Sequence, residues 1–349
     1  MRVDARLATG TSLDAIAATA RQAEADGYDG LWTRESAHDP FLPLAIAAEH
    51  TRTVRVGTSI AVAFARNPMN LAYLADDLTR YAGGRFALGL GSQVRPHIER
   101  RYAMPWSAPA RRMAELIRAI RAIWHSWATA ERLDFTGEFY RHTLMPPAFS
   151  PGPNPYGNPP ILLAAVGERM TEVAGEVADG LLVHGFTTPR YLREVTIPTL
   201  ARGLARGGRC RSDIEVSAPV LLATGTCEEE LAAAVAAVRR QIAFYGSTPA
   251  YRPVLELHGW GDLATELYTL SRADDPGRWD RMAALVDDTV LRAFAVVAEP
   301  GAIAAAVHTR MTGLADRVSF YTVTEPPPGV LPPAARALAA TPDRANVTC

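Results

Sequence analysis

Eight short apolar runs alternate with stretches of helical period along the 349 residues, and no other feature of the chain narrows its fold as much. The runs lie at 3–8, 30–34, 54–64, 85–91, 161–167, 179–185, 214–225 and 316–322. Between them the punctuation is helical. Thr11 or Ser12 can cap a first helix that Gly27 ends, and Pro68 can open another that stops at Gly83. Strands alternating with helices in this way form parallel sheets, because each crossover must return the chain to the same end of the sheet. The chain is therefore expected to be α/β. An open doubly wound sheet needs a glycine fingerprint in its first βα turn; that turn reads "RLATGTSLD" and the later "GLGSQV" has no third glycine. A (β/α)8 TIM barrel is the expectation, as one domain over residues 1–323. Two segments break the rhythm, about 129–160 after strand four and 247–299 after strand seven, and read as insertions. Residues 324–349 read as a tail that is partly loop or disordered.

Composition removes several functions. The formal net charge of -1 provides no basic field for nucleic acid or an anionic membrane. All 36 basic residues are arginine, so a lysine Schiff base or a Walker A lysine is excluded. Any phosphate must be held by arginine forks, hydroxyls or backbone N–H groups. Three cysteines, without C-x-x-C spacing, argue against a disulfide framework and a zinc knuckle and suit a reducing cytoplasm. No H-x-H or H-E-x-x-H pattern suggests a metal site, and neither a leader nor a membrane-spanning run is expected.

In a barrel, ligand and catalytic groups gather where strands end, at the C-terminal face. That rule selects Glu35, Ser36, His38 and Asp39 after strand two, and Ser59, Ile60 and Arg66 around strand three. Ser92, Gln93 and His97 follow strand four; Gly167, Glu168, Arg169 and Met170 follow strand five; His184 follows strand six. A glycine inside the third run, in "GTSIAVAF", marks either a plain core strand or a bulge against a ligand. The strand-glycine-helix joint at Gly167 can bind an anion, although most such joints bind nothing. His38, in "ESAHDPF", is either a tuned acid-base group or a loop histidine bonded to Asp39.

The segment "GTSIAVAFARNPMNLAYLADDLTRYAGGRFALGLGSQ", with "LWTRESAHDPF" and "AAVGERMTEVAGEVADGLLVHG", resembles the bacterial-luciferase-like monooxygenase superfamily, in particular its coenzyme F420-dependent branch. The resemblance runs from residue 2 to about 323. It implies a deazaflavin ring at the barrel mouth, backed by a cis peptide at Ser59–Ile60. Gly91, Ser92, Gln93 and His97 would border the ring, Gly167 to Met170 would cradle the phosphate, and His184 would stand on the neighbouring strand. His38 falls at the family's histidine position and would carry a proton during hydride transfer to or from an apolar or uncharged small-molecule substrate. Sugar-phosphate dehydrogenases of the family carry a glutamate where this chain has Val94 and a lysine where it has Thr187, so glucose 6-phosphate does not fit. Glu35 is the substitute acid-base partner. The rival readings are a reduced-FMN monooxygenase on the same fold and a barrel that binds a flavin without turnover. Relatives are commonly homodimers, and apolar helical faces such as "PLAIAAEHT" could bury a second subunit.

Overall fold

The computed structural model describes residues 1–341. Eight parallel strands close into a barrel: β1 (Arg2–Arg6), β2 (Gly30–Thr33), β3 (Arg55–Thr58), β4 (Phe86–Gly91), β5 (Ile161–Ala165), β6 (Gly180–Val183), β7 (Glu215–Ala223) and β8 (Arg317–Thr322). Each pairs with its sequence neighbour, and β8 returns to β1 in the register Arg2–Arg317, Val3–Val318 and Asp4–Ser319. Closure makes both faces of every strand interior. This is why β2 and β6 are buried throughout and why the runs read as continuous hydrophobics.

Residue parity assigns the two faces. On β4, Phe86, Leu88 and Leu90 pack outward into the core shared with the helices, whereas Ala87 turns inward with Trp32, Leu162 and Leu182. Below that apolar layer the interior is ionic. Arg317 donates through Nε to Asp4 Oδ2 at 2.8 Å and through Nη2 to Asp4 Oδ1, with both side chains only 1–2% exposed. Glu215 of β7 joins from one side and receives Arg55 of β3 at 2.8 Å and Arg2 at 3.1 Å. Burial pushes the Asp4 carboxyl above its ordinary range, and Arg317 opposes that shift.

The helices form where capping and patterning coincide. Asn67 caps the helix Pro68–Tyr81 by accepting from the N–H of Asn70 at 2.9 Å, Pro68 occupies its first turn, and Gly83 and Gly84 leave it with positive φ. Pro198 lacks an N–H to donate, and the chain absorbs it with a wide turn at Leu192–Thr196 before the helix Ile197–Arg206.

The segments outside the barrel also carry structure. Within the tail, Leu331–Ala340 is a helix whose Ala335 and Leu338 are fully buried and whose Arg336 donates to the carbonyl of Asp26 at 3.1 Å. Residues 342–349 of that expected tail lie outside the described part. The helical stretch after β7 ends in a short strand, Ala295–Val297, which pairs in parallel with the end of β7. Cys227 is free and exposed. The 133–160 segment contains the two-stranded hairpin Phe135–Thr136 and Arg141–His142. Among the described residues no helix is long and apolar enough to cross a membrane.

The ionic floor generates a stability prediction. Arg317→Met strands a buried carboxylate and should cost about 3–5 kcal/mol in urea unfolding. The double substitution Asp4→Leu with Arg317→Met should recover most of that loss, because it removes both charges from the interior.

Candidate active site

The third strand is where the barrel departs from regularity. Between the pairs Gly57–Ala87 and Ala61–Leu90, β3 and its continuation hold three residues where β4 holds two, which is a one-residue bulge. The Ser59–Ile60 peptide within it is cis. Hydrogen bonds fix the bulge from both sides. Thr58 Oγ1 donates to the carbonyl of Gly89 at 2.7 Å and accepts from its N–H at 2.9 Å, so one hydroxyl replaces the interrupted ladder. A side chain at position 89 would fall inside the Thr58 carbonyl, which makes glycine obligatory there. From β2, the carbonyl of Thr33 accepts from Ser59 N–H at 2.6 Å and the N–H of Glu35 donates to Ile60 O at 3.0 Å. Ile60 then lies over Gly91, where a Cβ would meet its side chain at 2.8 Å.

Glu35 completes this clamp. One carboxylate oxygen accepts from Val62 N–H at 2.7 Å and from Arg66 Nη1 at 2.6 Å, and the other accepts from Tyr102 Oη at 2.8 Å. The side chain is 7% exposed. With both oxygens accepting hydrogen bonds inside the clamp, Glu35 does not suit the acid-base role expected of it. His38 is placed differently. It is exposed and makes no hydrogen bond, and it lines a small niche with Thr9, Thr11 and Ser36. Asp39 is not its partner, because Asp39 accepts from the N–H groups of Phe41 and Leu42 and pairs with Arg66 at 3.2 Å.

At the end of β4 the side chains satisfy one another. Gln93, with a positive φ of 58°, accepts from the N–H of Val94 at 3.0 Å, and Ser92 Oγ donates to the Gln93 carbonyl at 3.1 Å. His97 is exposed in the wide turn His97–Arg101. None of these three borders the cavity at the fifth strand. There Gly167 caps the helix Glu168–Val177, and the first-turn N–H groups face a cavity of about 560 Å³. Its lining includes Glu168, Arg169, Met170, Tyr191, Ala108 and Pro253. Arg169 is exposed and unpaired among the described residues, whereas Glu168 is held by Arg202 at 2.9 Å. Free amide donors, an available guanidinium and apolar walls fit an organic phosphate.

His184 stands in a separate aromatic wall. Its Nδ1 accepts from Phe186 N–H at 3.0 Å, which puts the ring proton on Nε2, 3.2 Å from Tyr251 Oη. The ring stacks on Tyr251 at 4.6 Å and meets Tyr245 edge-on at 4.9 Å. Burial, with the Arg6 charge adding to it, pushes its pKa down to about 4. Strand parity puts further groups beside it that the sequence reading missed: Arg6 two residues after Asp4, Arg34 two after Trp32, and Tyr321 four after Arg317. Arg6, Trp32, Arg34, Ser59 and Tyr321 line a second cavity of about 460 Å³. The signal was present in "RVDARLA", where charged residues recur with period two in a strand.

A family model described as luciferase-like monooxygenase matches residues 1–317. The Mycobacterium tuberculosis protein Rv1360 is 57% identical over 295 residues, covering 84% of this chain and 86% of that protein. The 5,10-methylenetetrahydromethanopterin reductase of Archaeoglobus fulgidus is 27% identical over 284 residues, covering 80% of each. The fold is similar to that of the coenzyme F420-dependent tetrahydromethanopterin reductase from Methanopyrus kandleri, with a TM-score of 0.76 and 19% identity over 96% of this chain and 97% of that one.

The buried imidazole has a consequence for pH. In the unfolded chain His184 takes up a proton near pH 6.5, and in the folded protein only near 4. The unfolded state binds more protons between those values, so stability should fall as pH drops through this window and level off below it. His184→Gln should flatten that part of the profile in urea unfolding measured from pH 7 to 3.5.

Proposed function

The chain belongs to the luciferase-like monooxygenase family, and we propose that within it the protein is an F420-dependent oxidoreductase that moves a hydride between the deazaflavin and a small organic substrate. The observation that carries this reading is the cradle at Gly167. Amide donors of a helix N-terminus and the unpaired Arg169 open on a largely apolar cavity, in a chain that has no lysine to bind phosphate otherwise. The naming of the Methanopyrus structure for coenzyme F420 favours the deazaflavin over FMN.

In this reading Glu168, Arg169 and Met170 hold the phosphate, and Ile60 and Gly91 border the ring at the bulge. Ser92, Gln93 and His97 form the rim beyond β4, and His184 belongs to the aromatic wall opposite. The bound deazaflavin supplies a ring carbon that accepts or returns a hydride. His38 holds the accompanying proton, because its ring is exposed and uncommitted. Glu35 acts at one remove as a positioning residue that keeps the bulge in shape.

Fluorescence titration of the full chain tests the cofactor. F420 should bind more tightly than FMN, and equal or stronger FMN binding would overturn the reading in favour of a flavin monooxygenase. Charge-assisted hydrogen bonds are worth about 1.5–3 kcal/mol, so Arg169→Ala should weaken F420 binding about tenfold or more.

General acid-base groups contribute about 10²-fold or more. His38→Ala should therefore lower turnover by about that factor and leave F420 affinity nearly unchanged. Near-normal turnover with altered affinity would make His38 a packing residue.

A further inference from the structure

Arg6 is the group in the barrel mouth that nothing described so far uses. It ends β1, lies by parity on the face of the strand that carries Asp4, and lines the 460 Å³ cavity with its side chain exposed to solvent. Its guanidinium carries five N–H donors, yet makes no hydrogen bond or ion pair with any described residue. Several other arginines are matched by acids: Arg317 with Asp4, Arg66 with Glu35 and Asp39, Arg80 with Asp76, and Arg121 with Asp179. The carboxylate beneath Arg6 cannot serve, because Arg317 already takes both of its oxygens.

A second cation adds to the imbalance. Arg34 lines the same cavity, and its hydrogen bond goes to the Thr9 hydroxyl, not to an acid. Burial lowers the pKa of Arg6; Asp4 below opposes that, and Arg34 lowers it further. His184 is held uncharged, and Tyr245 and Tyr321 share a hydrogen bond of 2.8 Å with their ionisation suppressed at Tyr245 by burial. Glu325 lies on the cavity wall and pairs with neither arginine. Two guanidinium groups thus line one pocket with neither ion-paired to an acid among the described residues, which leaves their donors open to an anionic ligand.

We infer that Arg6 and Arg34 are the recognition site for an oxyanion group, a carboxylate or a phosphate, on the substrate. The inference rests on the reading of the barrel mouth as the reaction site, and it replaces the uncharged substrate that the sequence suggested. Arg6 grips the anion from the floor of the mouth and Arg34 from its edge, near the His38 niche, with which the cavity shares Thr9 and Arg34. The anion is thereby held on β1 and β2, apart from the phosphate cradle at β5. A neutral analogue of the same shape would leave both guanidinium groups unmatched and bind poorly.

Calorimetric titration of the full chain with benzoate, phenyl phosphate and neutral benzamide, at low ionic strength and with and without F420, tests this. At least one anion should bind about tenfold or more tightly than benzamide, and the stronger of the two identifies the group. Arg6→Gln should weaken that anion about tenfold or more while leaving F420 affinity and thermal unfolding unchanged. Arg34→Gln should do the same from an exposed position, so the test survives if the Arg6 variant does not fold. Failure of both anions to bind, equal binding of benzamide, or full anion affinity in both variants would overturn the inference. Failure of F420 to bind while the anion response persists would instead refute the cofactor reading and leave the arginine site standing.

Discussion

The fork between Arg317 and Asp4 joins the last barrel strand to the first, and the rest of the structure is arranged above it. Arg317 reaches both oxygens of Asp4 through Nε and Nη2, while its Nη1 lies 3.7 Å from Glu215, which also holds Arg55 and Arg2. Removing two charges from water offsets most of their attraction, so such a floor adds little stability over a hydrophobic one. What it adds is register. A slip of one residue in β1 or β8 would turn one charge outward among the helix-facing hydrophobics and leave the other unpaired. That register also fixes the vertical order of side chains, so that the layer of Trp32, Leu162 and Leu182 lies above the ions and Arg6, Arg34, His184 and Tyr321 reach the mouth.

The architecture was legible because a closed parallel barrel buries both faces of its strands, and eight continuous apolar runs are what that requires. Strand ends were legible for the same reason, since each run stops where the chain leaves the barrel. The position of the bulge was legible only through a glycine out of place in the third run. What holds it was not. The bonds from Thr58 to Gly89 and from Glu35 to Val62, Arg66 and Tyr102 join residues far apart in sequence, and no local pattern announces them. Glu35 shows the limit of reading chemistry from residue type. A carboxylate at a strand end has the composition of an acid-base group and, here, the contacts of a clamp. His184 shows the same limit in the other direction, since its neutral state depends on rings contributed by the segment after β7. The helix at Leu331–Ala340 was missed because a proline-rich approach conceals a short alanine-rich turn of structure.

The bulge and the mouth are coupled through β2. The three residues that follow Trp32 provide the carbonyl that holds Ser59, the carboxylate that holds Val62, and the guanidinium that enters the cavity. A change in the conformation of this segment would therefore alter the shape of the bulge and the charge in the mouth together.

Closure by Arg317 also imposes an order of events during synthesis. Its partner Asp4 is made 313 residues earlier, and until the eighth strand emerges that carboxylate has no counter-charge in the interior. The nascent chain must keep Asp4 in water, which means keeping the barrel open along the β1 edge while the other strands assemble. Closing so long a loop is entropically slow, and an unpaired strand edge is open to other chains meanwhile. The ion pair thus makes barrel closure wait on the eighth strand, 313 residues after Asp4.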